Sequence, residues 1–157
     1  MNNDSRFATE ALKKRLIRLN EDAGARTTLL ITKEGNCIAI AGDISYLDTT
    51  ALAALIAGMF SATREVARLV GEDQFSILLQ QGEKRHIHIS LVTDSAMMVV
   101  IFEDYQRIGR VRHEARKAGI EIAEILLPGK VGEEKEISVD RFKEYALNLI
   151  DRIFEKK

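Results

Sequence analysis

One cysteine, one proline and no tryptophan are found among these 157 residues. With Cys37 alone, no disulfide can form within the chain, and a reducing, cytoplasmic compartment is expected. Residues 1–6 are polar, unlike the start of a secretion signal. Charge of one sign is missing too: 23 Lys and Arg against 24 Asp and Glu leave a formal net charge of −1. That balance removes any global pull toward nucleic acid or an anionic membrane and leaves only local patches to consider. No apolar run is long enough to span a bilayer, because the most apolar segment meets Arg64 and Glu65 too soon, so no membrane insertion is expected. Phosphate cradles are absent as well. No Gly-x-x-x-x-Gly-Lys-Ser/Thr loop occurs and no Gly-x-Gly-x-x-Gly follows a strand, so neither a nucleotide nor another cofactor is expected.

What remains is an ordinary globular composition, 46% hydrophobic and 30% charged. A chain of this length buries roughly two thirds or more of the surface its unfolded form exposes, and one domain accounts for it. A first helix is expected over about 4–22, where Ala8, Leu12, Leu16, Leu19 and Ala23 recur three and four apart. The β-branched run 27–32, the turn Lys33-Glu34-Gly35-Asn36 and the short run 37–40 read as a hairpin. A long helix over 48–70 follows, then strands over 75–80, 85–92 and 96–102, whose short connections require antiparallel neighbours. A third helix is expected over 108–126, ended by Pro128-Gly129. Residues 4–127 then form the domain, 128–137 a charged linker, and 138–157 an amphipathic helix whose stripe of Phe142, Tyr145, Leu149, Ile150 and Ile153 has to dock on something.

The long helix carries the most information. Asp48 is placed to cap it and Gly71 to end it. Leu52, Leu55, Met59, Val66 and Leu69 recur at helical spacing and read as the stripe pressed onto the core. Ala54, Ala57, Gly58 and Ser61 form a second, small face that lets another backbone approach closely, and they are the expected dimer interface. Met59, Phe60, Arg64, Glu65 and Arg68 are the positions expected to meet a further partner.

Candidate chemistry is sparse, and no catalytic or metal site is expected. His86 and His88, two apart on a strand, share a face and are geometrically compatible with a metal, yet no third ligand is in view, and two polar residues on a partly exposed strand is the leading reading. Cys37 lacks any sign of a partner base and reads as structural. Glu133, Glu134 and Glu136 lie in the linker, where flexibility spoils preorganisation. The densest charge lies at the start of the third helix, with Arg107, Arg110, Arg112, Arg116 and Lys117. A solvated face is its leading reading, an acidic protein surface the next, and nucleic acid the last, since no aromatics are interleaved and no reading motif is present.

The element order, with Leu29-Leu30-Ile31 before Lys33-Glu34-Gly35, Leu47-Asp48 entering residues 53–58, Leu69-Val70-Gly71-Glu72 before Phe75, Gln81-Gly82-Glu83, and Ile101-Phe102 before residues 108–112, resembles the Roadblock/dynein light-chain domain, and within it the MglB-like proteins. The likeness covers about 7–126. It implies an α+β sandwich of order αββαβββα, a five-stranded antiparallel sheet flanked by helices, with the first and third helices on one face and the long helix on the other. It also implies a homodimer made by joining edge strands and pairing long helices. As a partner it implies a Ras-like small GTPase, whose hydrolysis MglB-like members speed by repositioning the GTPase's own residues, without an arginine finger. The chain would then be a regulator and not itself an enzyme. Other family members are scaffold or adaptor subunits, which is the alternative. Where MglB-like sequences carry an asparagine in the long helix, this chain has Met59, followed by Phe60.

Overall fold

The computed structural model describes residues 3–128. The chain runs α1 (Asn3–Ala23), β1 (Thr27–Thr32), β2 (Cys37–Gly42), α2 (Thr49–Leu69), β3 (Ile77–Gln81), β4 (His86–Thr93), β5 (Ala96–Phe102), one 3-10 turn at Tyr105–Arg107, and α3 (Ile108–Leu126). The expected α+β order is therefore present. All but Pro128 of the expected linker, and the whole of the expected helix over 138–157, lie outside the described residues.

The five strands form one antiparallel sheet in the order β2-β1-β5-β4-β3. Two sequence-local units, the β1–β2 hairpin and the β3–β4–β5 meander, are joined by pairing β1 with β5 from Thr27↔Ile101 to Thr32↔Ala96. These central strands are covered on both sides. β5 is buried at every position and β1 at all but its last, which explains their near-continuous apolar sequences. α2 carries the chain from one edge strand to the other.

Alternation along each strand splits the core in two. Leu30, Met98, Val100 and Phe102 face α1 and α3, where Leu12, Leu16, Leu19, Val111, Ala118 and Ile122 pack on them. Arg15 and Arg18 of α1 both reach Glu121 of α3, at 2.5 and 2.8 Å, and tie the two helices together. Leu29, Ile31, Ile89, Val99 and Ile101 face the other way, toward α2.

Here the sequence expectation for α2 is corrected. Its inward residues are Ala53, Ile56, Ala57, Phe60 and Ala67, while Leu55, Val66 and Leu69, expected in the core, are 72%, 51% and 87% exposed. Leu52 and Met59 are half-buried at the rim. Ala57, expected at a dimer interface, and Phe60, expected at a partner surface, belong to this protein's own core, 6% and 3% exposed. The physical reason is closeness. Alanine at 53 and 57 lets α2 settle near the sheet, and Ile56 and Phe60 fill the space that remains. The helix ends follow the sequence: the Asp48 carboxylate accepts from the Ala51 N–H at 3.0 Å, and Gly71 turns the chain at φ +83°.

Candidate functional site

With its core stripe settled, α2 turns the opposite side to solvent. Ala51, Leu55, Gly58, Ala62, Val66 and Leu69, spaced four, three, four, four and three apart, lie on this exposed side as one ridge. From Ala51 to Leu69 the ridge is about 27 Å long at 1.5 Å per residue. Gly58 sits mid-ridge, where an added Cβ would meet nothing within 4 Å beyond its own helix turn. Ala54 and Ser61 lie exposed along one flank. An apolar ridge of this length is uncommon on a monomer's surface.

Polar groups border it. Glu65 and Arg68 pair at 3.5 Å, both well exposed, an interaction worth little to stability. Arg64 and Met59 are half-buried on the flanks, and the Gln80 side-chain amide of β3 donates to the Met59 sulfur at 2.9 Å. The structure thus keeps Ala54, Gly58, Ser61, Glu65 and Arg68 at the surface, leaves Met59 and Arg64 at its margin, and withdraws Ala57 and Phe60 from it. Leu55, Val66 and Leu69 are the surface residues that sequence reasoning assigned elsewhere. The sheet adds a second open element: β3 is an edge strand, and Ile77 and Leu79, on the face turned away from α2, are 44% and 36% exposed.

The other candidate groups do not assemble. His86 and His88 share the face toward α3, as their spacing requires, but both are buried and not, as expected, on a partly exposed strand. His86 lies against the rings of Phe102 and Tyr105, at 5.2 and 5.1 Å between centroids. Cys37 is on the far edge strand, three strand spacings or about 14 Å from β4, and partial burial raises its thiol pKa. Among the described residues no three His, Cys, Asp or Glu side chains gather as metal ligands. No described helix is long and apolar enough to cross a membrane. The sheet end near β2 carries a structural charge cluster: Arg26 binds Glu103 and Asp43 and lies 4.3 Å over the Tyr46 ring. The Asp43 carboxylate, held by the Ser45 hydroxyl and N–H and then by Arg26, has its pKa lowered to about 2.

The Roadblock/LC7 domain profile matches residues 13–102, more than half of the chain. The chain belongs to the Roadblock/LC7 domain family. Among solved structures it is similar to MglB of Myxococcus xanthus, with 33% identity over 75% of this chain and 89% of that one and a TM-score of 0.73. An MglB with a tetrameric arrangement gives 26%, 75%, 89% and 0.72 for the same quantities. The gliding protein MglB of Thermus thermophilus gives 27%, 75%, 90% and 0.71. No curated protein matches the sequence closely enough to add to these likenesses. The matched Roadblock/LC7 span takes in all of α2 and β3, so the ridge and the open strand edge are part of the family domain and not an addition to it.

Proposed function

We propose that this Roadblock/LC7 protein acts as a homodimer that binds and regulates a Ras-like small GTPase, as an activator that contributes no arginine finger. The observation that carries this reading is the exposed ridge of α2 in a chain one third identical to an MglB. Two copies that pair their α2 ridges through Leu55, Gly58, Ala62 and Leu69, with Ala54 and Ser61 alongside, cover the apolar surface that a monomer leaves in water. Joining the β3 edges at the same time removes an open strand edge and makes one continuous sheet under a two-helix platform. Met59, Arg64, Glu65 and Arg68 then border the platform on which the GTPase sits. Ala57 and Phe60 contribute indirectly, by seating the helix on its sheet.

Single-turnover GTP hydrolysis by a Ras-like GTPase of the MglA type, with and without this protein, tests the activity. Faster hydrolysis is expected. Replacing Arg64 and Arg68 by alanine, singly, is expected to weaken the effect less than tenfold. A loss of roughly a thousandfold or more at one of them is the size that an arginine finger supplies and would overturn the finger-free mechanism.

A further inference from the structure

α1 and α3 cover most of their face of the sheet but stop short of its β3 edge. A cavity of about 700 Å³ opens there between α3 and strands β3 and β4, on the side away from the α2 ridge. The size is that of a small-molecule site. Its floor comes from residues that strand register puts on one face: Ser90 is paired with Ile77, and His88 lies two residues before Ser90. Its wall is a single stripe of α3, Arg112, Arg116, Gly119 and Ala123, at spacings of four, three and four. The stripe changes character along its length. Its first half is cationic, while its second half is small and joined by the apolar Ile120 and Val92.

Three features distinguish this cavity from an ordinary surface dent. Among the described residues, neither Arg112 nor Arg116 forms an ion pair, although Arg15, Arg18 and Arg26 all do. His88, 1% exposed, lines the floor with neither ring nitrogen hydrogen-bonded. Buried polar groups are normally partnered, and a neutral imidazole has one donor and one acceptor to satisfy. Gly119 faces open space, since an added Cβ there would meet nothing within 4 Å. A glycine in mid-helix is unfavourable for the helix, yet here it keeps the cavity open.

We propose that this cavity binds a small organic anion, a carboxylate or phosphate-ester head on an apolar body. Arg112, Arg116 and His88 hold the head, and the body lies over Gly119 toward Ala123. The oxygen of the head accepts from the guanidinium groups and from the imidazole N–H. Two arginines on one helix face suit such a head because each presents a planar fork of donors. The apolar body covers the bare strip of sheet beside Ile77 and Val92, which gives an amphiphile an advantage over an inorganic ion. The site lies on the opposite face of the sheet from the α2 ridge but borders the β3 edge that the proposed dimer joins; ligand titration reads it separately from GTPase binding, so the two readings fail separately.

Calorimetric titration of the full chain with decanoate and with decyl phosphate, below their micelle concentrations, tests the proposal, with decanol and inorganic phosphate as controls. One saturable site is expected for at least one of the two amphiphiles, with decanol and inorganic phosphate each at least tenfold weaker. Titration followed by nitrogen NMR of the His88 ring is expected to shift its imidazole signals. Gly119→Leu fills the cavity while favouring the helix, so it is expected to abolish binding without lowering the melting temperature. The double change of Arg112 and Arg116 to glutamine is expected to weaken binding at least tenfold. Absence of saturable binding by both amphiphiles, equal binding by decanol or by inorganic phosphate, unmoved His88 signals, or undiminished binding by Gly119→Leu would each overturn it.

Discussion

His88 has a measurable consequence for stability. Burial, and then the nearby charge of Arg112, lowers its pKa from 6.5 to about 4. Between those values an unfolded chain binds a proton that the folded chain does not. Stability is therefore complete above about pH 7 and falls as the pH drops toward 4, by about 3 kcal/mol over the window if the whole shift is realised. Urea denaturation at pH 7, 5.5 and 4.5 measures the slope. His88→Leu is expected to flatten it, and equal slopes for both proteins would contradict the assignment. Gly35 makes a second claim at this scale. It has φ +91°, and a Cβ there would come within 2.9 Å of the Ala54 Cα. Gly35→Ala is expected to cost about 1–3 kcal/mol, read from thermal or urea denaturation. The turn Lys33-Glu34-Gly35-Asn36 was legible in the sequence, but its packing on the α2 backbone was not, because spacing within one segment says nothing of what lies above it. Nor did the spacing of His86 and His88, which gave their shared face, show that α3 and the Tyr105 ring bury them.

At the scale of elements, helix and strand periods are strong in this chain and the elements fall where the periodicity puts them. β2 runs on to Gly42, two residues past its last expected position, because the pairing Thr27↔Gly42 extends the ladder. The orientation of α2 is what the periodicity leaves undecided. Nearly every residue of 51–62 is apolar or small, so two opposite stripes both satisfy a spacing of three and four. Side-chain size favours Leu55 and Leu69 as core, whereas the face of this helix that meets the sheet combines Ala53 and Ala57, which allow close approach, with Ile56 and Phe60, which fill the gaps. The observed orientation of α2 decides what substitutions do. Phe60→Ala is expected to cost about 3–5 kcal/mol, as for other large aromatic truncations in cores. Ala57→Arg, which the sequence alone would offer as a clean disruptor of a dimer, is expected to unfold the subunit. Leu55→Glu with Leu69→Glu should shift denaturation of the isolated subunit by no more than about 0.5 kcal/mol each, yet disperse the dimer in light scattering. A dimer of unchanged affinity would mean that the ridge is not the interface.

The whole molecule was least legible from residues alone. Connection lengths give the hairpin and the meander, but pairing β1 with β5 brings together segments about seventy residues apart, and no local pattern encodes that contact. The resemblance to Roadblock domains supplied the sheet and the two-sided covering of helices. The sequence of residues 138–157 is expected to form an amphipathic helix whose apolar stripe docks on this domain, on a second copy or on a partner. Removing residues 129–157 is accordingly expected to change affinity for the GTPase by more than it changes the melting temperature, as read by titration and calorimetry on the same preparations. The decisive measurement is the affinity of the intact protein for a Ras-like GTPase loaded with GDP or with a nonhydrolysable GTP analogue, beside the Leu55→Glu, Leu69→Glu variant. The account predicts at least tenfold tighter binding to the GTP-like state, lost in the variant. Equal binding to both states would point to a scaffold, and no binding to either would contradict the claim outright.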